Sequence, residues 1–126
     1  MGAPGQGFAP GRHPIEGLGK GGFLFAGMSH VGSILALPSG VHAWGAATHN
    51  EISSETMAPA LAEREAFDFL LIGTGPRFEP LPPALARFLK DEGIRFEAMS
   101  TSSATQTYNI LLDEGRKVAA ALLAVS

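Results

Sequence analysis

The sequence predicts one α/β domain in which a mixed sheet is layered with helices and some early strands are left for a second sheet. Three observations predict it. The first half consists of short apolar runs broken by glycine-rich turns, the mark of antiparallel hairpins. The second half alternates strand-like with helix-like segments, which implies right-handed crossovers and a parallel portion. At 126 residues, 45% of them apolar, the chain is long enough for one core, burying roughly two-thirds of its unfolded surface.

The elements follow in order. Residues 1–22 hold eight of the sixteen glycines and three of the nine prolines, so ordering them is costly and little apolar surface offsets it. A flexible arm over residues 1–14 is expected, with the domain proper over 15–126 and "IEGLGKGG" joining a sheet edge. "GFLFAG" is a short apolar strand bounded by glycines, and "MSHVGSILALPSGVHAW" reads as a hairpin turning at Pro38-Ser39-Gly40. Helical spacing begins in "NEISSETMAPALAERE", with Ser53 or Ser54 as N-cap and Met57, Ala60 and Leu61 on one face. Pro59 makes that helix short or bent.

"FDFLLIG" is apolar nearly throughout, as a strand covered on both faces should be. "PPALARFLKDEG" starts on prolines, aligns Leu85, Phe88 and Leu89, and stops at Gly93. "IRFEAMS" alternates as a half-buried strand. Ser103 and Gln106 are spaced as a capping box for a helix carrying Ala104, Tyr108, Leu111 and Leu112 and ending at Gly115. "KVAAALLAV" closes the chain as a strand, with helix as the competing reading. The order is β-β-β-α-β-α-β-α-β.

Composition removes several function classes. With no cysteine, disulfides, thiolate metal sites and cysteine nucleophiles are excluded. Net charge is −3 and nine Lys and Arg are scattered, which argues against nucleic acid as a partner. The longest apolar runs fall well short of the roughly 20 residues of a membrane helix, so no membrane span is expected. No secretory signal is visible, and the cytoplasm is the expected location.

The stretch "FLLIGTGPRFEPLPP" invites a nucleotide reading. A dinucleotide loop needs G-x-G-x-x-G opening directly into a helix, and here Pro76, Arg77 and Phe78 follow Gly73-Thr74-Gly75 without a third glycine. A P-loop lacks its G-K-[ST]. Two readings stay open. The glycines turn the chain while Arg77 pairs with Glu79 or the next helix, or the turn rims a pocket where Arg77 holds a small anionic ligand. His13, His30, His42 and His49 lack metal-ligand spacing, and His30 and His42 read as solvated strand residues. No metal or cofactor is expected. Trp44 reads as core. No serine lies in G-x-S-x-G, and no catalytic constellation is visible.

The blocks "GGFLFAGMSHVGSILALPSGVHAW", "DFLLIGTGPRFEPLPPALARFLKDEGI" and "STSSATQTYNILLDEGRKVAAALL" together resemble the Mth938-like family, which includes the mitochondrial NADH dehydrogenase (complex I) assembly factor 3 proteins. The resemblance runs from about Ile15 to Val125. It implies a three-layer β+β/α fold with helices on one side of a mixed sheet and antiparallel hairpin strands. It implies no established enzymatic activity, and a protein partner engaged by contact during assembly of a respiratory or membrane-associated complex. It also implies a pocket at Gly73, Thr74, Gly75 and Arg77 with Thr107, Tyr108 and Asn109. This chain has Ala104-Thr105-Gln106 where many relatives carry a Cys-Arg or similar polar pair, so a cation and a thiol are missing there. An anion- or small-molecule-binding domain at the Gly73–Arg77 turn is the alternative function.

Overall fold

A computed structural model describes residues 9–126. Strand β1 (Ala9–Pro10) comes first, followed by a meander of β2 (Ile15–Gly19), β3 (Gly22–Phe25) and β4 (Met28–Val31). Its two tight turns place Lys20 and Ala26 at φ of 54° and 50°, the left-handed geometry that matches the twist of a hairpin. The meander is a sheet of its own, in the order β2-β3-β4. β4 was not anticipated: "MSHV" belongs with "GFLF" across the Ala26-Gly27 turn rather than with the hairpin after it. The arm expected over residues 1–14 lies outside the described residues up to position 8. Beyond that, Ala9 and Pro10 pair with the strand opposite them.

The expected hairpin is β5 (Ile34–Leu37) and β6 (Gly40–Ala43). A short helix α1 (Ala58–Leu61), β7 (Phe69–Gly73), α2 (Pro83–Asp91), β8 (Phe96–Met99), α3 (Thr101–Asp113) and β9 (Val118–Leu122) follow. The main sheet runs β1-β6-β5-β9-β7-β8. β7 lies between β8 and β9, parallel to both, while β5 joins β9 antiparallel and so links the two halves.

Alternation along the central strands decides the layers. Leu35, Leu37, Leu70, Ile72, Ala119 and Ala121 face one core with Met57, Leu85 and Leu89; Ile34, Ala36, Leu71, Val118, Ala120 and Leu122 face the other with Phe23, Phe25 and Tyr108. Leu70, Leu71 and Ile72 are fully buried, and each contributes about 1.5–3 kcal/mol. The one-sided layering of helices holds for α1 and α2. The chain crosses from β7 to β8 and then returns past β7 to β9, so right-handed crossovers put α2 and α3 on opposite faces. α3 therefore shares its layer with the small sheet.

Helix starts differ from expectation in two places. Ser53 accepts from Thr56 N–H at 3.2 Å and closes a separate turn, and Met57 heads α1 with no side-chain cap. α3 is capped by Ser100, whose hydroxyl accepts from Ser103 N–H at 3.2 Å, instead of by Ser103 and Gln106. The earlier start brings Thr101 into the first turn.

Candidate functional site

β7 ends at Gly73, and the chain must turn there without stranding buried polar groups. A Cβ on Gly73 would stand 2.9 Å from Thr101 Cα and Oγ1 and 3.0 Å from Leu122 Cδ2. Glycine thus lets the head of α3 rest directly on the strand. Thr74 is buried; its N–H donates to Met99 O at 2.9 Å. Its hydroxyl donates to Arg77 O at 2.8 Å, with Met99 O at 3.1 Å as a second acceptor, and accepts from Glu79 N–H at 3.0 Å.

Gly75, at φ 110°, takes a conformation that side chains disfavour. Its N–H donates to Thr101 Oγ1 at 2.9 Å, Thr101 N–H donates back to Gly75 O at 2.8 Å, and the Thr101 hydroxyl donates to Leu123 O at 2.8 Å. The donors of Thr74 and Gly75 are both used inside the fold. A phosphate-binding turn must leave such donors free.

What the turn does offer is a pinned loop. Arg77 and Phe78 are exposed, Phe78 to 55%. Arg77 belongs to neither ion pair found among the described residues, which are Arg64–Glu92 and Arg116–Glu114. The pairing with Glu79 or the next helix, which one of the two open readings gave it, is not among them. An unpaired cation beside an exposed aromatic, on a loop fixed by the Thr74 hydroxyl, pairs two residue types enriched at protein interfaces.

Thr107, Tyr108 and Asn109 stand about two turns further along α3 and meet different partners. The Thr107 hydroxyl lies 3.8 Å from Met99 Sδ. Tyr108 is buried and its OH donates to His13 O at 3.1 Å. Burial pushes its pKa up to about 12, against the lowering effect of Arg12. Asn109 mimics a strand: Oδ1 accepts from Ile15 N–H and Nδ2 donates to Ile15 O, both at 2.8 Å. Tyr108 and Asn109 tie the segment entering β2 to α3, while the glycine turn engages the head of the same helix. A recess of about 320 Å³ opens beside the turn, lined by Gly75, Pro76, Ser102 and residues 124–126.

Other groups were missed or misplaced by sequence reading. His30 is 4% exposed, not solvated, because it points into the space between the sheets with its ring tilted against Phe25 at 6.2 Å. Trp44 is core, as expected, and its Nε1–H donates to Thr56 O at 2.8 Å. Ser39 Oγ lies 2.8 Å from His42 Nε2 and donates to Glu63 Oε2 at 2.5 Å, a cluster that joins residues 24 apart. A nucleophilic triad needs the carboxylate behind the imidazole. Here it holds the serine proton and the Ser39 N–H at 2.9 Å, so the cluster pins a turn.

Residues 15–123 match the family described as "Protein of unknown function (DUF498/DUF598)". The chain belongs to this Mth938-like family. An uncharacterized protein of Rhodobacter capsulatus is 42% identical over 93% of the chain and 88% of its own length. NADH dehydrogenase [ubiquinone] 1 alpha subcomplex assembly factor 3 of Xenopus tropicalis is 30% identical over 86% of the chain and 60% of its own length. The chain therefore spans somewhat under two-thirds of that relative. Among solved structures, an outer membrane protein from Bartonella henselae superposes with a TM-score of 0.88 at 43% identity, covering 93% of this chain and 98% of that one. A Mth938-like domain protein from Bordetella pertussis gives 0.76 at 28% identity, over 98% of this chain and 89% of that one. No described helix of this family member is long and apolar enough to cross a membrane.

Proposed function

We propose that this Mth938-like chain is a non-catalytic protein-interaction module that assists assembly of a respiratory or membrane-associated complex from the cytoplasmic side. The observation that carries the reading is its likeness, over 86% of its length, to proteins named as complex I assembly factors. The chemistry of the motifs agrees with it. Thr74, Gly75, Tyr108 and Asn109 direct their polar groups inward, and the contact surface is the pinned loop carrying Arg77 and Phe78.

Affinity capture of the tagged chain from its own host, followed by mass spectrometry, tests this. Subunits or assembly intermediates of one membrane-associated complex are expected. Phe78→Ala should reduce their recovery while leaving the melting temperature nearly unchanged, since exposed substitutions usually cost within about 0.5 kcal/mol. Recovery of nothing above background from wild type would end the proposal.

A further inference from the structure

The two sheets have four edges among the described residues, and three are blunted. β1 is two residues long and carries Pro10, which has no N–H to offer. β8 is flanked by exposed Arg95 and carries exposed Glu97, charges that discourage pairing. The outer edge of β2 is bulged between Ile15 and Gly17, and the Asn109 amide occupies the backbone of Ile15. β4, "MSHV", has no charge, proline or bulge, and β3 is its sole neighbour among the described strands.

The ladder fixes which groups on β4 are open. Phe25 pairs with Met28 across the Ala26-Gly27 turn, and Phe23 pairs with His30. The pair closing such a turn exchanges both hydrogen bonds, and bonding alternates from there. Met28 and His30 thus direct their backbone groups to β3, whereas Ser29 and Val31 direct theirs outward. Both side chains are exposed, Val31 to 84%, on the face that also shows Leu24 at 48%. Between them lies a groove of about 470 Å³ whose floor includes Gly17, Gly19 and Gly22.

An edge open at residues i and i+2 is complementary to itself. We infer that β4 is a pairing edge for a second copy of this chain, the two β4 strands meeting antiparallel about His30. Ser29 then faces Val31 of the other copy at both ends, giving on the order of four backbone hydrogen bonds. The two small sheets become one continuous antiparallel sheet, with the Val31 side chains covered. The register also sets the two His30 residues opposite one another. His30 Nδ1 is the buried side-chain polar atom left without a partner among the described residues, and the second imidazole offers the donor or acceptor it lacks. The contact is small, so the dimer belongs to the weak class of interfaces.

Sedimentation of the full chain over a wide concentration range tests this, with amide exchange read at Ser29 and Val31. A monomer–dimer equilibrium is expected, with those two amides protected only in the dimer. Val31→Lys puts a cation on the edge and should raise the dissociation constant at least about ten-fold, while Val31→Thr keeps the dimer. Should Val31→Lys fail to fold, as judged by circular dichroism, the wild-type exchange pattern decides by itself. A wild-type chain that stays monomeric at every concentration overturns the inference. So does a dimer whose Ser29 and Val31 amides exchange as freely as in the monomer. A monomer whose two amides become protected only under a foreign extended segment overturns self-pairing and gives the edge to that segment. Self-association and capture of host partners are separate readouts, so either idea can fail without the other.

Discussion

Two glycine-rich regions of this molecule handle the same materials in opposite ways. At the end of β7, the polar groups of Thr74, Gly75 and Thr101 are matched inside the fold, and the small residue at Gly73 brings two elements into contact. In the β2–β4 meander the glycines flatten an outer face, leaving Leu24 and Val31 in solvent and β4 without a second neighbour among the described strands. Both rely on glycine. What separates them is whether another element closes over the backbone. The junction is therefore closed and rigid, whereas the meander keeps an open edge and an exposed apolar face.

The sharpest way to break the contrast is Gly73→Ala. The new methyl has no space against Thr101 and Leu122, and the overpacking should cost about 3 kcal/mol in urea denaturation. A loss under about 0.5 kcal/mol would mean that the junction is as loose as the meander. Next comes Thr101→Val, which keeps the shape but orphans Gly75 N–H and Leu123 O. A cost of about 2 kcal/mol is expected, with faster amide exchange at Gly75.

Asn109→Ala probes the seam between the two regions. It removes both bonds to Ile15 and should cost about 1–2 kcal/mol, with exchange accelerating at Ile15 and leaving β7 unaffected. Equal acceleration in β7 would show that the regions open together. The smallest effect at neutral pH concerns Tyr108, the single tyrosine. Its folded pKa of about 12 lies above the ordinary value of 10.0, so between those values the native state holds the proton more tightly than the unfolded one. The resulting stability is fully present below the unfolded value and is lost as pH rises through the folded one. Ultraviolet titration of tyrosinate should show a midpoint near 12 in folded protein. Ionisation at the unfolded value while the fold persists would refute the burial of this ring.

Much of the fold was legible. The apolar run Phe69–Gly73 and the alanine-rich Val118–Leu122 are strands, and Pro59 confines α1 to four residues. These readings succeeded because each rests on side-chain period and punctuation within a few positions. β4 escaped because four residues on an edge have no clear period, and a turn with Ala at its first position carries a weak signal. The candidate site was legible in part. Gly73-Thr74-Gly75 was found as a turn without nucleotide chemistry. Its partner Thr101 was hidden, since nothing local distinguishes a threonine that caps a neighbouring strand from one that merely starts a helix.

The sequence by itself determined the alternation of strand and helix from the β5–β6 hairpin onward, the family, and the exclusion of thiol chemistry, because these depend on composition, spacing and near neighbours. Tertiary structure alone decided that Asn109 binds Ile15 across 94 positions, that Glu63 accepts a hydrogen bond from the Ser39 hydroxyl, and that His30 is buried. A side chain's partner is whatever the packed layers bring within about 3 Å, and that distance comes into being only when the layers close.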